Sequence, residues 1–129
     1  MQVPETLRYS EEHEWVLVAD GVATIGITDH AQEELGDIVF VELPALGTVL
    51  TKSATLGVVE SVKAVSDVYA PVGGSVTAVN DGLTAKPETI NEDPYGEGWM
   101  VKVTLTDAAE VEGLMTAAQY REFVAQVKA

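Results

Sequence analysis

A single lysine between two short apolar runs is the residue best placed to carry chemistry. Residues 54–74 read ATLGVVESVKAVSDVYAPVGG, and Lys63 lies between the two runs. If residues 56–62 pair with residues 65–69, Lys63 and Ala64 form the tip of a hairpin, and the amine projects into solvent from a rigid mount. The pattern fits an attachment point or an ordinary solvated lysine, because Lys-Ala lacks the Asn-Gly or Gly-X sequence that tight hairpins prefer.

Histidines, acids and glycines offer other candidate chemistry, none of it well supported. His13 and His30 lie far apart in the sequence without a cluster of metal ligands, so structural roles are favoured over acid–base or metal chemistry. Glu12 and Glu14 could form the carboxylate pair of an unmodified enzyme, but no base, nucleophile or metal set accompanies them. The glycines within residues 96–98 are too short a cluster to cradle a phosphate.

The charge and the lack of cysteine exclude several classes of protein. The chain has 21 acidic and 7 basic side chains, giving a formal net charge of -14 at pH 7. Such a chain repels phosphate backbones, so nucleic acids and anionic membranes are poor partners. With 0 cysteines, disulfides, thiolate metal sites and cysteine nucleophiles are excluded. Any sulfur chemistry must therefore come from an added group.

The length and the hydropathy pattern predict one domain outside the membrane. The 129 residues are enough to bury a core, and we expect a single domain spanning residues 1–129. No apolar run reaches the roughly 20 residues that cross a bilayer. Residues 1–10 lack the patterns of a secretory signal or a transit peptide, so a cytoplasmic location is expected.

The elements that position Lys63 are predicted to be short strands joined by turns. Residues 15–18 and 22–27 form a first hairpin, and Thr28 caps a short helix over residues 29–35 that ends at Gly36. Further strands, besides the pair around the lysine, are predicted at residues 38–43, 49–50, 75–79 and 99–105. Closely spaced short strands indicate an antiparallel β-sandwich or flattened barrel.

A helix is predicted at the C-terminal end. Thr116 and Gln119 form a capping box, and the apolar residues that follow recur at helical spacing, namely Tyr120, Phe123, Val124 and Val127. Residues 80–98 are too long for a simple connection, so an ordered excursion over the surface is expected there.

The sequence around the lysine resembles the lipoylation site of glycine cleavage system H proteins. The matching residues are Glu60-Ser61-Val62-Lys63-Ala64, Ser66-Asp67 and Ala70-Pro71-Val72. Other blocks match in the order and at the spacing of the family, from about residue 7 to residue 125. These blocks are His13-Glu14-Trp15, Gly26-Ile27-Thr28-Asp29-His30-Ala31-Gln32, Leu35-Gly36-Asp37, Phe40-Val41-Glu42-Leu43-Pro44, Asn91, Pro94-Tyr95-Gly96 and Gly98-Trp99.

The resemblance implies a fold and a function. The fold would be mainly β, a lipoyl/biotinyl-type flattened β-barrel (hybrid-motif sandwich) with short helices and a C-terminal amphipathic helix. The protein would be a carrier and not an enzyme, with lipoate in amide linkage to Lys63. Its arm would take an aminomethyl group from a pyridoxal-phosphate glycine decarboxylase to a tetrahydrofolate-dependent aminomethyltransferase. The reduced dihydrolipoyl arm would then pass electrons to dihydrolipoyl dehydrogenase.

The resemblance also implies further binding residues and a cellular location. Glu14 and Asp67 are candidates for holding the charged amine of the loaded arm, since a cationic amine that leaves water needs carboxylate partners. Glu60 and Asp67 are candidates for framing the turn for the lipoate-attaching enzyme. A monomer is expected, in a bacterial cytoplasm, or in mitochondria if the chain is a processed eukaryotic form.

Three related carriers are alternatives. Biotinyl domains prefer methionines on both sides of the lysine, where this chain has Val62 and Ala64. The lipoyl domain of a 2-oxoacid dehydrogenase would have Asp before the lysine, followed by linkers and a catalytic domain. An H-like protein that acts chiefly as a lipoate donor to other enzymes would share both the fold and the lysine, so it stays open.

Overall fold

The described chain consists mainly of short β-strands, joined by turns and short helices. A computed structural model describes residues 1–128. The strands are β1 (Arg8–Tyr9), β2 (Glu14–Ala19), β3 (Val22–Ile27), β4 (Ile38–Glu42), β5 (Val49–Leu50), β6 (Thr55–Ser61), β7 (Val65–Tyr69), β8 (Gly74–Val79) and β9 (Val101–Leu105). The helices are α1 (Asp29–Leu35), α2 (Gly82–Ala85), α3 (Thr89–Glu92), α4 (Ala109–Glu112) and α5 (Ala117–Lys128). Within residues 1–128, no helix is both long and apolar enough to cross a membrane.

The strands form two antiparallel sheets with the main apolar core. One sheet has the order β1-β2-β3-β9-β8-β5, and the other has the order β4-β6-β7. The predicted mainly β fold with a C-terminal helix is confirmed, and of the two predicted forms the sheets make a sandwich that is not closed into a barrel. The edge strands β1 and β5 have 2 residues each, so the hydrogen-bond ladder of the larger sheet ends there and does not continue into the smaller one.

The first hairpin and the first helix form as the sequence predicts. β2 and β3 are joined by Asp20 and Gly21, both with positive φ (53° and 75°), as a type I′ turn requires. The Oγ1 of Thr28 accepts a hydrogen bond from the N–H of Ala31 at 3.2 Å, which caps α1. Gly36 ends this helix with φ 80°, and the helix therefore delivers the chain to β4 at a fixed angle.

The C-terminal helix packs on a second apolar cluster beside β1 and β2. The predicted capping box is confirmed, because Gln119 Oε1 accepts from the N–H of Thr116 at 2.9 Å and Thr116 Oγ1 accepts from the N–H of Gln119 at 3.3 Å. Tyr120 stacks on Tyr9 with ring centroids 4.7 Å apart. Trp15, also buried in this cluster, donates from Nε1 to the carbonyl of Pro94 at 3.0 Å, so its polar atom is satisfied.

Residues 80–98 make the predicted ordered excursion, with two turns of helix that the sequence did not indicate. α2 and α3 bury Leu83 and Ile90 against the main core. β9 then begins at Val101, slightly later than predicted. The excursion matters for the site because it brings Asn91 to the junction between α1 and β4.

Candidate functional site

The loop that carries Lys63 is organised by a buried serine. β6 ends at Ser61, so the loop is Val62, Lys63 and Ala64, not the predicted two-residue tip. The N–H of Ser61 donates to the Ala64 carbonyl at 2.8 Å, and the N–H of Val62 donates to the Asp37 carbonyl at 3.2 Å. Ser61 Oγ accepts from the N–H groups of Lys63 at 3.3 Å and Ala64 at 3.1 Å. The serine thus supplies turn chemistry that Lys-Ala lacks.

Asn91 fixes the neighbouring junction between α1 and β4. Its Oδ1 accepts from the N–H of Ile38 at 2.9 Å, and its Nδ2 donates to the carbonyl of Gly36 at 2.9 Å. A Cβ built on Gly36 would lie 3.7 Å from Cε of Lys63. The stem of the exposed lysine therefore runs along the end of α1.

A cleft opens beside this lysine along one face of α1, and we call it the α1 cleft. Its volume is about 490 Å³, and its lining residues are Glu12, His13, His30, Ala31, Glu34, Leu35, Ser66 and Val127. Leu35 directly precedes Gly36, so one end of the cleft lies next to the stem of Lys63. Glu12 and Glu34 are exposed and give the cleft a negative rim.

Glu14, a predicted amine-binding residue, is buried in a neighbouring cavity of about 360 Å³. Only 2% of its surface is exposed. Its Oε1 accepts from Ser10 Oγ at 2.6 Å and its Oε2 accepts from the N–H of Tyr69 at 3.2 Å. Burial raises the pKa of Glu14 to about 7, although these two hydrogen bonds oppose the shift. Glu12 lines both this cavity and the α1 cleft.

Asp67 and Glu60 lie on the outer face of the β4-β6-β7 sheet. Asp67 is paired with Val58, whereas the preceding Ser66 is paired with the fully buried Val59. Since successive side chains of a strand point to opposite faces, Ser66 faces inward and Asp67 outward. Asp67 is not among the lining residues of the α1 cleft or the Glu14 cavity. The structure therefore does not bring Asp67 and Glu14 together in one cavity.

The two histidines, distant in sequence, meet in the α1 cleft. Their ring centroids are 4.7 Å apart. Nδ1 of His13 lies 2.8 Å from Oη of Tyr120, which in turn lies 2.8 Å from Oγ1 of Thr28. His30 is 4% exposed, and its Nδ1 has no hydrogen-bond partner among the described residues. Within residues 1–128, no group of three or more His, Cys, Asp or Glu side chains has the arrangement of a metal site.

His13 has an unusual backbone and a shifted pKa. Its φ is 70°, a left-handed conformation that non-glycine residues rarely adopt. Burial lowers its pKa below the ordinary value, the neighbouring His30 lowers it further, and Glu34 opposes these effects. The imidazole is therefore neutral at pH 7.

Comparison with known proteins identifies the family. A family model described as "Glycine cleavage H-protein" matches residues 7–127. The chain belongs to this family. It is 59% identical over 120 residues to a probable glycine cleavage system H protein of Haloarcula marismortui, covering 93% of this chain and 94% of the relative. It is 57% identical over 126 residues to the H protein of Bacillus cytotoxicus, covering 98% and 99%.

A solved structure of a family member has the same fold. The crystal structure of a glycine cleavage system H protein from Mycobacterium marinum superposes with a TM-score of 0.86 at 39% identity, covering 98% of this chain and 100% of the other. Family membership supports a lipoyl-carrier role in the glycine cleavage system. An H protein is a subunit that works with the other components of that system, and it is not an enzyme itself.

The α1 cleft contains residues of this family's fold that the sequence reasoning did not assign to the site. His30, Ala31, Glu34 and Leu35 are spaced so that they share one face of a helix. This spacing follows directly from the predicted helix and could have identified Glu34. The wall of the cleft opposite α1 could not be predicted. Its residues Glu12 and Ser66 come next to α1 only because segments that are distant in the sequence pack together.

Proposed function

We propose that Lys63 carries a lipoyl group in amide linkage and that this arm shuttles between three enzymes. It takes an aminomethyl group from the pyridoxal-phosphate glycine decarboxylase to the tetrahydrofolate-dependent aminomethyltransferase. As dihydrolipoyl it then delivers electrons to dihydrolipoyl dehydrogenase. The observation that carries the proposal is an exposed lysine on a rigid, serine-organised loop, with a cleft beginning at its stem.

The residues around Lys63 fit a lipoyl group. The lysine is exposed, and within residues 1–128 the only salt bridge found joins Arg121 to Glu5, so no carboxylate competes for the amine. The dithiolane of lipoate supplies the sulfur chemistry, which this chain cannot supply because it contains 0 cysteines. The protein contributes the position of the arm and a surface that shields it.

The α1 cleft is the proposed resting place of the loaded arm. Ala31 and Leu35 offer apolar contacts for the hydrocarbon chain, and Glu12 and Glu34 offer carboxylates for the cationic amine. A sheltered cleft limits the access of water to the unstable cargo. Glu14, in the cavity that shares Glu12 with the cleft, is the proposed innermost partner of the amine.

The outer face of the small sheet supports a second role for the acids near the turn. Cross-strand pairing places Phe40, Glu60 and Val65 in one row, and Glu42, Val58 and Asp67 in the next. Phe40 and Val65 are 48% and 66% exposed. We propose that the lipoate-attaching enzyme recognises this acidic and apolar face beside Lys63. An amine-holding role for Asp67 requires its carboxylate to reach around the edge of β7.

Peptide-resolved mass spectrometry of protein expressed with lipoate and a lipoate ligase tests the central proposal. We expect the lipoyl mass increment only on the peptide that contains Lys63, and its complete loss in Lys63→Arg. Lys52→Arg, at another exposed lysine, is the matched control and should retain full modification. An unmodified Lys63, under conditions that lipoylate a control domain, would show that the proposal is wrong.

Reconstitution with the three enzymes separates the shuttle from a lipoate donor. The lipoylated chain should support glycine-dependent NADH formation, and the Lys63→Arg variant should not. Lipoyl transfer to other acceptor proteins without glycine cleavage would instead favour the donor function.

A further inference from the structure

The hydrogen bonds around Tyr120 determine where the proton of His13 resides. The Tyr120 hydroxyl has one proton and two close neighbours, Thr28 Oγ1 and His13 Nδ1, so it donates to one and accepts from the other. Thr28 Oγ1 already accepts from the N–H of Ala31. If Thr28 Oγ1 also accepted from Tyr120, the hydroxyl proton of Thr28 would need another acceptor. Solvent water cannot serve, because Thr28 has 0% exposure.

One arrangement satisfies every group. Thr28 donates to Tyr120, and Tyr120 donates to His13 Nδ1. A neutral imidazole that accepts at Nδ1 carries its proton on Nε2. Burial raises the pKa of the Tyr120 phenol, which keeps it protonated as a donor. His13 lines the α1 cleft and its Nδ1 is taken by Tyr120, so the Nε2–H group is the one that is left to meet a ligand.

The protein maintains His13 in this position at an energetic cost. A left-handed backbone conformation is unfavourable for a residue other than glycine, and His13 adopts it with φ 70°. The conformation is held by backbone hydrogen bonds, from the His13 N–H to Ser10 and from the Thr28 N–H to the His13 carbonyl. Strain of this kind concentrates at functional sites.

The histidine pair lies where the end of a docked arm would reach. Helix α1 runs from His30, beside His13, to Leu35 next to Gly36, against which the Lys63 stem lies. At a rise of 1.5 Å per residue, the six residues from Gly36 back to His30 span about 9 Å. This distance is comparable to the length of the lipoyl chain beyond Nζ, so an arm laid along α1 from the Lys63 stem would bring its sulfur atoms to the end of the cleft where the histidines lie.

We propose that His13 donates a hydrogen bond from Nε2–H to a sulfur of the docked lipoyl arm, and that Tyr120 and Thr28 are positioning residues that fix the required tautomer. This inference rests on the proposed function and adds a specific contact to it. The groups that face His13 are His30 and Glu34 of α1 and the adjacent Glu12, which line the cleft, and Tyr120 and Phe123 of α5, which pack against the ring from the protein side. The carboxylates suit the amine of the cargo, whereas an N–H donor suits the sulfur.

The tautomer is testable in the unmodified chain by NMR of ¹⁵N-labelled imidazoles. At pH 7 we expect His13 to be neutral, with the proton on Nε2. Tyr120→Phe removes the donor to Nδ1 but keeps the ring that stacks on Tyr9, and should shift His13 toward a mixture of tautomers. Tyr95→Phe is the matched control, because that hydroxyl bonds to Gln2 and Asp29 and not to His13.

The arm contact is testable in the lipoylated chain loaded by glycine and glycine decarboxylase. We expect the His13 Nε2–H resonance to move and its exchange with solvent to slow on loading. In Tyr120→Phe, the ratio of docked to free arm should fall in proportion to the fraction of His13 that keeps its proton on Nε2, about twofold for an equal mixture of tautomers. Tyr95→Phe should leave this ratio unchanged.

Several outcomes would overturn the proposal. A wild-type His13 with its proton on Nδ1 would do so without any variant, and therefore even if Tyr120→Phe failed to fold. An Nε2–H resonance of His13 that does not change when the arm is loaded would exclude the sulfur contact. An unchanged His13 tautomer in Tyr120→Phe would exclude the positioning role of Tyr120. Failure to attach lipoate at all would refute the proposed function and with it the arm contact, and this failure is distinguishable because the tautomer is read in unmodified protein.

Discussion

Ser61 determines the position of Lys63, because its hydroxyl oxygen accepts hydrogen bonds from two backbone N–H groups of the loop. We expect Ser61→Ala to destabilise the chain by about 1 kcal/mol, since two partly buried N–H donors lose their acceptor. Urea unfolding measures this change, and the rate of lipoylation at Lys63 should fall in parallel. Ser75→Ala, at an exposed serine of β8, should alter neither quantity. An unaffected Ser61→Ala variant would mean that the backbone alone holds the loop.

The buried carboxyl of Glu14 should make folding stability depend on pH. Its pKa rises from 4.5 to about 7 on folding, so the folded state binds more protons between these values. Its contribution to stability is therefore fully present below pH 4.5 and is lost as the pH rises through about 7, a change of roughly 3 kcal/mol.

A comparison of Glu14→Gln with wild type isolates this effect from the many other acids. Urea titration at each pH measures the free energy of unfolding of both proteins. As the pH rises from 4.5 to 8, the variant should become more stable relative to the wild type. Glu33→Gln, at an exposed acid of α1, should follow the wild-type curve. Parallel curves for Glu14→Gln and wild type would contradict the raised pKa.

Single residues of the site were predictable to different degrees. Lys63 follows from the resemblance of its neighbourhood to a lipoylation site. The capping role of Ser61 does not, because it depends on β6 ending one residue earlier than the apolar pattern suggests. The burial of Glu14 also depends on a distant segment, since Tyr69 of β7 binds its carboxylate, whereas Ser10 is only four residues away in the sequence.

The small sheet should act as a unit in recognition by the lipoate-attaching enzyme. The double substitution Glu60→Gln with Asp67→Asn removes two charges beside the turn and leaves the fold intact, since both side chains lie on the outer face. We expect kcat/KM for lipoylation to fall roughly tenfold, about 1 kcal/mol or less per surface charge.

A charge on the same face provides the control for that experiment. Glu42 lies on the outer face in the same row as Asp67, but on β4, which is not one of the two strands that lead into the Lys63 loop. Glu42→Gln should therefore reduce the rate much less. Equal losses in both variants would indicate general electrostatic attraction to the acidic chain and no specific recognition of the turn.

Elements with local signals were predicted, and elements created by long-range pairing were not. Thr28 and Gly36 bound α1, and Thr116 with Gln119 begins α5, as their capping residues indicate. β1 was missed because its 2 residues carry no periodicity. It exists through pairing with β2 and through a bridge between Tyr9 and Met115.

The arrangement of the two sheets is a property of the whole molecule, and local sequence patterns do not predict it. β3 pairs with β9, bringing Val22 opposite Thr104, and no turn signal specifies a contact between such distant residues. The short edge strands then keep the sheets open. The spacing of the short strands predicted an antiparallel β-sandwich or flattened barrel, and the resemblance to a known family implied the same mainly β fold, but neither specified that the two sheets stay unclosed.

The four hydrogen bonds that fix the loop at Ser61 and Asp37 also determine how the proposed arm on Lys63 would move. Because the loop itself is held in place, the arm can move only by rotation about the bonds of the Lys63 side chain and of the group attached to it. The reactive end therefore sweeps a sphere whose centre is fixed on the protein. In the proposed shuttle, each enzyme must bring its active site inside that sphere, where tethering keeps the local concentration of the arm high. Because the loop is held in place, its movement adds nothing to the radius of the sphere.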